Sequence, residues 1–180
     1  DNNFYVFYSS PWLGTNFDGS EKDGEADFVI AHPELGLLVI EVKGGRISVD
    51  SDNKWYSTDR TNIKQTIKNP VEQARSGKYT IISKIKESTR GRLPRFAATH
   101  GIIFPDVTRP LASGLPLRTD ISEGMIAYKA DLGNIKKWIE RRFADSTGVN
   151  EVGLGREGCS LLYELLSRPI EFPPSLLSDI

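Results

Sequence analysis

The run Leu37-Leu38-Val39-Ile40 is the most apolar stretch of the chain, and it ends in Glu41-Val42-Lys43 before Gly44-Gly45. It is preceded by the turn-forming residues His32-Pro33-Glu34-Leu35-Gly36. A short apolar run with β-branching between two turn signals reads as a buried strand, here residues 37–43. A buried strand needs covering layers, so the remaining chain has to supply neighbouring strands and helices. Charges at the end of such a strand belong more often to a site than to an evenly polar surface.

The other elements fit that requirement. Residues 4–8 and 25–31 read as strands, separated by a Pro-, Gly- and Asn-containing loop over 10–24. Residues 46–49 and 54–57 alternate like a hairpin around Asp50-Ser51-Asp52-Asn53. Asn69 is a good N-cap, Pro70 suits the first helical position, and Glu72 has capping-box spacing. The helix they open carries Val71, Ala74, Ile81, Ile82 and Ile85 and should run to about Glu87. A basic loop over 90–95 leads into a buried strand over 96–104, which Pro105 ends. Residues 108–116 read as loop and 125–128 as a short strand. Asp131 should cap a helix to Phe143, and residues 158–166 form a last helix that Pro169 stops. The order is strands, helix, strands, helices. It implies a mixed α/β architecture, a mixed β-sheet core flanked by helices, rather than a doubly wound nucleotide fold. We expect a single domain over 1–168 and a linker-like tail over 169–180 containing Pro173-Pro174. The chain opens at Asp1 rather than at methionine, as a piece of a longer protein would.

Composition excludes several classes. The chain has 180 residues, 38% hydrophobic and 26% charged, with net charge -1. Wholesale disorder, collagen and coiled coil do not fit these values. No apolar run approaches the roughly 20 residues of a membrane span. Cys159 is the sole cysteine, so neither an intrachain disulfide nor a multi-cysteine zinc site can form. Absence of disulfides and of a signal pattern points to the cytoplasm. Charge is uneven: eight acids face one base up to Glu41, whereas nine bases face two acids between Thr61 and His100. Acids that hold cations followed by bases that hold phosphates suit a polyanion-processing site. A solvated helix face and a basic loop would produce the same counts.

Hairpin geometry sharpens the first alternative. If residues 32–36 form the loop, Ala31 faces Leu37, Asp27 faces Glu41, and Glu25 faces Lys43. Opposed residues share a face with Cβ atoms about 4.5–5.5 Å apart. Two carboxylates that close repel unless a proton or a cation intervenes. A hard divalent ion, Mg²⁺ or Mn²⁺, is the natural occupant. Lys43 points the same way as Glu41 and can orient a water or neutralise charge on a phosphate. A slip of one residue would separate the two acids. A plain cross-strand ladder, Glu25 with Lys43 beside an exposed Asp27, is the competing outcome. His32 and His100 read as structural or surface residues. Trp12, Trp55 and Trp138 read as core aromatics, and Gly44-Gly45 reads as a turn.

Taken in order, Gly24-Glu25-Ala26-Asp27-Phe28-Val29-Ile30, Gly36 through Gly45, Trp55 and Asn69-Pro70-Val71-Glu72-Gln73-Ala74 resemble the nuclease-related domain family, NERD. That family belongs to the PD-(D/E)XK nucleases, with the restriction-endonuclease-like fold. The resemblance covers about residues 24–104. It implies that Asp27 and Glu41 are metal-binding acids, that the Val42 carbonyl is a further ligand, and that Lys43 is the catalytic lysine. It also implies that Gln73 is the site glutamine of the following helix. The tyrosine expected four residues later is absent; Gly77 stands there, and Tyr79 comes six residues after Gln73. A helix usually precedes the first strand in such nucleases, whereas this chain begins almost directly with the strand at Phe4.

The expectation is therefore a Mg²⁺- or Mn²⁺-dependent nuclease domain acting on DNA, in the same protein as a helicase or beside one. Glu25 would line the site, and Lys64, Lys68, Arg75 and Lys78 would contact backbone phosphates. The alternative is a non-catalytic DNA-binding or interaction module on the same fold. No GxxxxGK[ST] motif is present, so the chain is not itself a P-loop ATPase.

Overall fold

In the computed structural model, strand β3 (Gly36–Val42) lies at the centre of a five-stranded sheet, with Leu37, Leu38, Val39 and Ile40 at most 1% exposed. The structure describes residues 3–15, 21–109, 121–145 and 151–167. Strands β1 (Tyr5–Thr15) and β2 (Glu21–His32) run antiparallel to one another, and β2 runs antiparallel to β3. On the far side of β3, β7 (Ala98–Phe104) and β8 (Ile126–Tyr128) pair in parallel, giving the order β1-β2-β3-β7-β8. Between β3 and β7 the chain makes a small second sheet, β4 (Arg46–Val49), β5 (Trp55–Thr58) and β6 (Lys64–Ile67), followed by helix α1 (Pro70–Thr89). Helices α2 (Ile135–Ala144) and α3 (Gly155–Leu166) complete the chain's regular structure among the described residues.

Alternation along β3 assigns its two faces. Leu37 and Val39 pack with Val29 and Ala31 of β2, Ile81 and Ile85 of α1, and Cys159 and Leu162 of α3. Leu38 and Ile40 pack on the other face with Ile30, Ile103, Trp138 and Phe143, under α2. Each such side chain contributes about 1.5–3 kcal/mol when fully buried. A third cluster joins Trp55 and Val71 to Ile102, Phe104 and Ile126, tying the small sheet and the start of α1 to β7 and β8. Cys159 is a core residue, and burial pushes its thiol up to about 11. Among the described residues, no helix is long and apolar enough to cross a membrane.

Several boundaries differ from the sequence expectation. Of the expected loop over 10–24, residues 10–15 and 21–24 are strand instead: β1 and β2 stay paired from Tyr5 opposite Ala31 to Thr15 opposite Glu21, and residues 16–20 lie outside the described residues. Pro11 is tolerated because β1 is an edge strand. β6 was not anticipated; it is short, and three of its four residues are exposed. Asn69 caps α1 as expected, its Oδ1 accepting from the Val71 and Glu72 amides. Glu72, however, takes Arg75 at 2.6 Å instead of completing a capping box. The helix ends two residues later than expected, where Arg90 turns left-handed at φ 50°. Asp131 does not cap an α-helix: its carboxylate accepts the Tyr128 amide and pairs with Arg109 in a 3-10 turn (Lys129–Asn134), and Asn134 caps α2 instead. The last helix begins at Gly155 rather than Gly158. The tail over 169–180 and most of the loop over 108–116 lie outside the described residues.

Close packing of α2 depends on one glycine. A Cβ on Gly101 would stand 2.7 Å from Trp138 Cη2 and 3.3 Å from the Met125 carbonyl oxygen. Gly101→Ala should therefore destabilise the fold by about 1–3 kcal/mol through overpacking, read as a lower urea midpoint with an unchanged slope.

Candidate active site

Glu41 and Lys43 stand two residues apart at the end of β3 and so share a face. It is the face that turns Leu37 and Val39 toward α1. Lys43 Nζ lies 2.6 Å from Glu41 Oε1; the glutamate side chain is 5% exposed and the lysine 24%. The β2–β3 ladder runs in the anticipated register, from His32 opposite Gly36 to Phe28 opposite Ile40. Continued by one step, that register sets Asp27 across from Glu41. There a side chain replaces the ladder: Asp27 Oδ2 accepts the Val42 amide at 2.7 Å. The plain ladder reading expected an exposed Asp27 and a Glu25–Lys43 pair. Asp27 is half-buried and Lys43 pairs within its own strand. The Glu25 side chain lies outside the described residues.

Helix α1 starts beside this strand end. Val71 packs with Ile102 and Phe104, and Ile102 is the register partner of Glu41 on β7. Gln73 donates its amide to the Asn69 carbonyl at 3.0 Å, and its Oε1 is buried without a hydrogen-bond partner. Helical spacing places Gln73 on the flank opposite Arg75 and Lys78. Those two cations act on His100 of β7, so the Gln73 flank is turned toward β3 and β2. A buried oxygen left unpaired costs about 1–3 kcal/mol. Two carboxylates, a peptide carbonyl and an amide oxygen would supply oxygen donors only, the kind a hard divalent ion takes. Among the described residues, no group of three His, Cys, Asp or Glu forms a cation site. An ion at Asp27 and Glu41 would therefore need other oxygens, such as the Val42 carbonyl, Gln73 Oε1 or water. The residues present fit Mg²⁺ or Mn²⁺ on these terms.

Three of the four anticipated phosphate contacts have a partner of their own. Lys64 and Lys68 are exposed at and just after β6, with Lys64 Nζ 3.8 Å from the Tyr56 ring centroid. Arg75 is held by Glu72, and Lys78 Nζ sits 4.5 Å from the Tyr79 ring centroid. Trp55 is 4% exposed and so cannot stack on a base. Gly44-Gly45 turns the chain toward the small sheet: Gly45 has φ 84°, and a Cβ there would meet Ser57 Oγ at 2.5 Å. Asp106, which the sequence did not single out, accepts the Gly45 amide at 2.8 Å from 61 residues away. No local pattern could have announced a contact of that separation.

The two histidines are structural. His32 is buried, and its Nδ1 accepts the Glu34 and Leu35 amides at 3.1 and 3.3 Å, closing the β2–β3 turn. His100 lies on the α1 face of β7. Burial, followed by the charges of Lys78, Arg142 and Arg75, pushes it down to about 4.

A model of the nuclease-related domain, NERD, matches residues 1–105, which include Asp27, Glu41, Val42, Lys43 and Gln73. No curated protein and no solved structure matches the chain.

The depressed His100 has a consequence for stability. Between pH 6.5 and about 4 the unfolded chain binds the proton that the folded chain refuses. The histidine's influence is absent above pH 6.5, and stability falls as pH drops through that window. Urea unfolding measured across it should show this decline, and His100→Gln should make the profile flatter.

Proposed function

Because the chain belongs to the nuclease-related domain family, we propose that it is a metal-dependent nuclease domain that hydrolyses phosphodiester bonds in DNA. The observation that carries the reading is the end of β3. A buried carboxylate, Glu41, is in contact with Lys43, and Asp27 is held beside it by the Val42 amide. Asp27, Glu41 and the Val42 carbonyl would hold Mg²⁺ or Mn²⁺, with Gln73 Oε1 as the neighbouring oxygen. Such an ion, when bound, polarises a phosphate and lowers the pKa of an attacking water.

The chain's own residues do the rest. Lys43 is a donor poised at the acids; it can hydrogen-bond a water or a non-bridging phosphate oxygen and offset charge that builds there. Glu41 fixes where that ammonium sits. The Val42 amide fixes the orientation of Asp27, so one oxygen of each acid already has a protein partner before substrate arrives. Contacts from Lys64, Lys68, Arg75 and Lys78 would hold backbone phosphates without reading sequence.

A non-catalytic nucleic-acid-binding module on the same fold is the second reading. The close Glu41–Lys43 pair favours it, since a lysine already neutralises the acid that an ion would need.

Cleavage of supercoiled plasmid and of a labelled single strand, with Mg²⁺, Mn²⁺ or EDTA, separates the two. Cutting should require the ion, and Asp27→Asn, Glu41→Gln and Lys43→Ala should each lower the rate by about 100-fold or more. Combining them should cost little further, since they act as a unit. Cutting that survives in these variants would defeat the assignment. DNA binding without any cutting would favour the second reading.

A further inference from the structure

On the other flank of α1 the sheet is left open. β8 pairs only with Ile102–Phe104, so no strand covers the outer edge of β7 ahead of Ile102 among the described residues. The chain folds back there: Ala97 donates to the Val152 carbonyl and Val152 to the Arg95 carbonyl, and Phe96 bridges to Val152. Between this wall and α1 lies a cleft of about 300 Å³. It is lined among others by Lys78, Tyr79, Lys86, Arg95, Phe96 and Glu151.

We propose that this cleft receives one nucleotide of a single-stranded nucleic acid that crosses α1 from the acids at the end of β3. The base lies against Tyr79 and Phe96, and the flanking phosphates lie against Lys78, Lys86 and Arg95. The inference rests on the nuclease reading above and adds to it a preference for unpaired strands.

Three observations support it. Tyr79 is a large aromatic left 57% exposed at the rim, with an ammonium already over its ring. Aromatic platforms beside cations are how proteins hold single strands without reading their sequence. The lining carries three cations against one acid, which suits a polyanion. The volume lies at the small end for ligand pockets. An unstacked base can enter a concavity of that size directly, whereas a base of a duplex must first be unpaired and unstacked at a free-energy cost. The helix is about 10 Å across with its side chains, and its exposed ridge carries Arg75 and Tyr79. A strand a few nucleotides long therefore connects the acids to the cleft across a cationic and aromatic crest.

The test is equilibrium binding of fluorescent oligodeoxythymidine and of a matched duplex, in EDTA, to the full chain. Wild type should bind the single strand more tightly. Tyr79→Ala should weaken single-strand binding about 10-fold and leave duplex binding unchanged. The Lys86→Ala/Arg95→Ala double variant should reduce the salt slope for the single strand by about 1.4, or 0.7 for each phosphate no longer neutralised. Urea midpoints equal to wild type would confirm that these surface variants fold. Single-strand binding unaltered in both variants would overturn the proposal, as would equal weakening for strand and duplex. Plasmid cutting is read separately in the same proteins. Lys43-dependent cutting with no role for Tyr79 in binding leaves the nuclease reading standing and removes the cleft. Tyr79-dependent strand binding without metal-dependent cutting does the reverse.

Discussion

Burial of β3 on both faces is the constraint on which the other features depend. Its four apolar residues are in contact with α1 and α3 on one side and with α2 on the other. A slip of one residue would exchange the two faces and drive Glu41 into the apolar layer beneath α2. Packing therefore fixes more than stability. It decides that Asp27, Glu41 and Lys43 emerge together on the α1 side, at the strand end where the small second sheet departs.

The polar end of that strand is held by local compensation. A carboxylate as buried as Glu41 is costly unless a partner offsets its lost hydration. Lys43 is that partner, two residues along the same strand. Asp27 is satisfied differently, by a backbone amide that would otherwise belong to the sheet ladder. Each acid thus has a partner close to it in the β2–β3 hairpin. At the start of α1, the Gln73 oxygen is buried without a hydrogen-bond partner.

The uncovered edge of β7 is managed by a side chain. Arg142 of α2 is 6% exposed and donates to Thr99 Oγ1 at 2.8 Å and to the His100 carbonyl at 3.1 Å. A guanidinium here supplies a donor that a neighbouring strand would have supplied, and burial lowers its own affinity for the proton. It also contributes to the positive surroundings that disfavour a charged His100. Among the described residues, the end of β8, the contacts of Arg142 and the cleft beside α1 all lie along the part of β7 that β8 does not pair.

Much of this was legible in the chain. The apolar run, the turn before it and the Asn69-Pro70 start of α1 are local signals whose physics acts over a few residues, so hairpin register and helix start could be read directly. Asp27, Glu41 and Lys43 followed from that register by counting. The extended β1–β2 ribbon was not legible, because backbone pairing holds it through residues whose composition signals a loop. The partner of Lys43, the burial of Arg142, and the contact between Asp106 and Gly45 were not legible either. Nor was the pairing of Arg75 with Glu72. The sequence by itself determined which residues could carry charge at the end of a buried strand, since strand period and turn length are local properties. Only the tertiary structure decided which of those charges meet and which face solvent. Contacts between residues far apart in sequence depend on how the layers pack, and no local pattern encodes that.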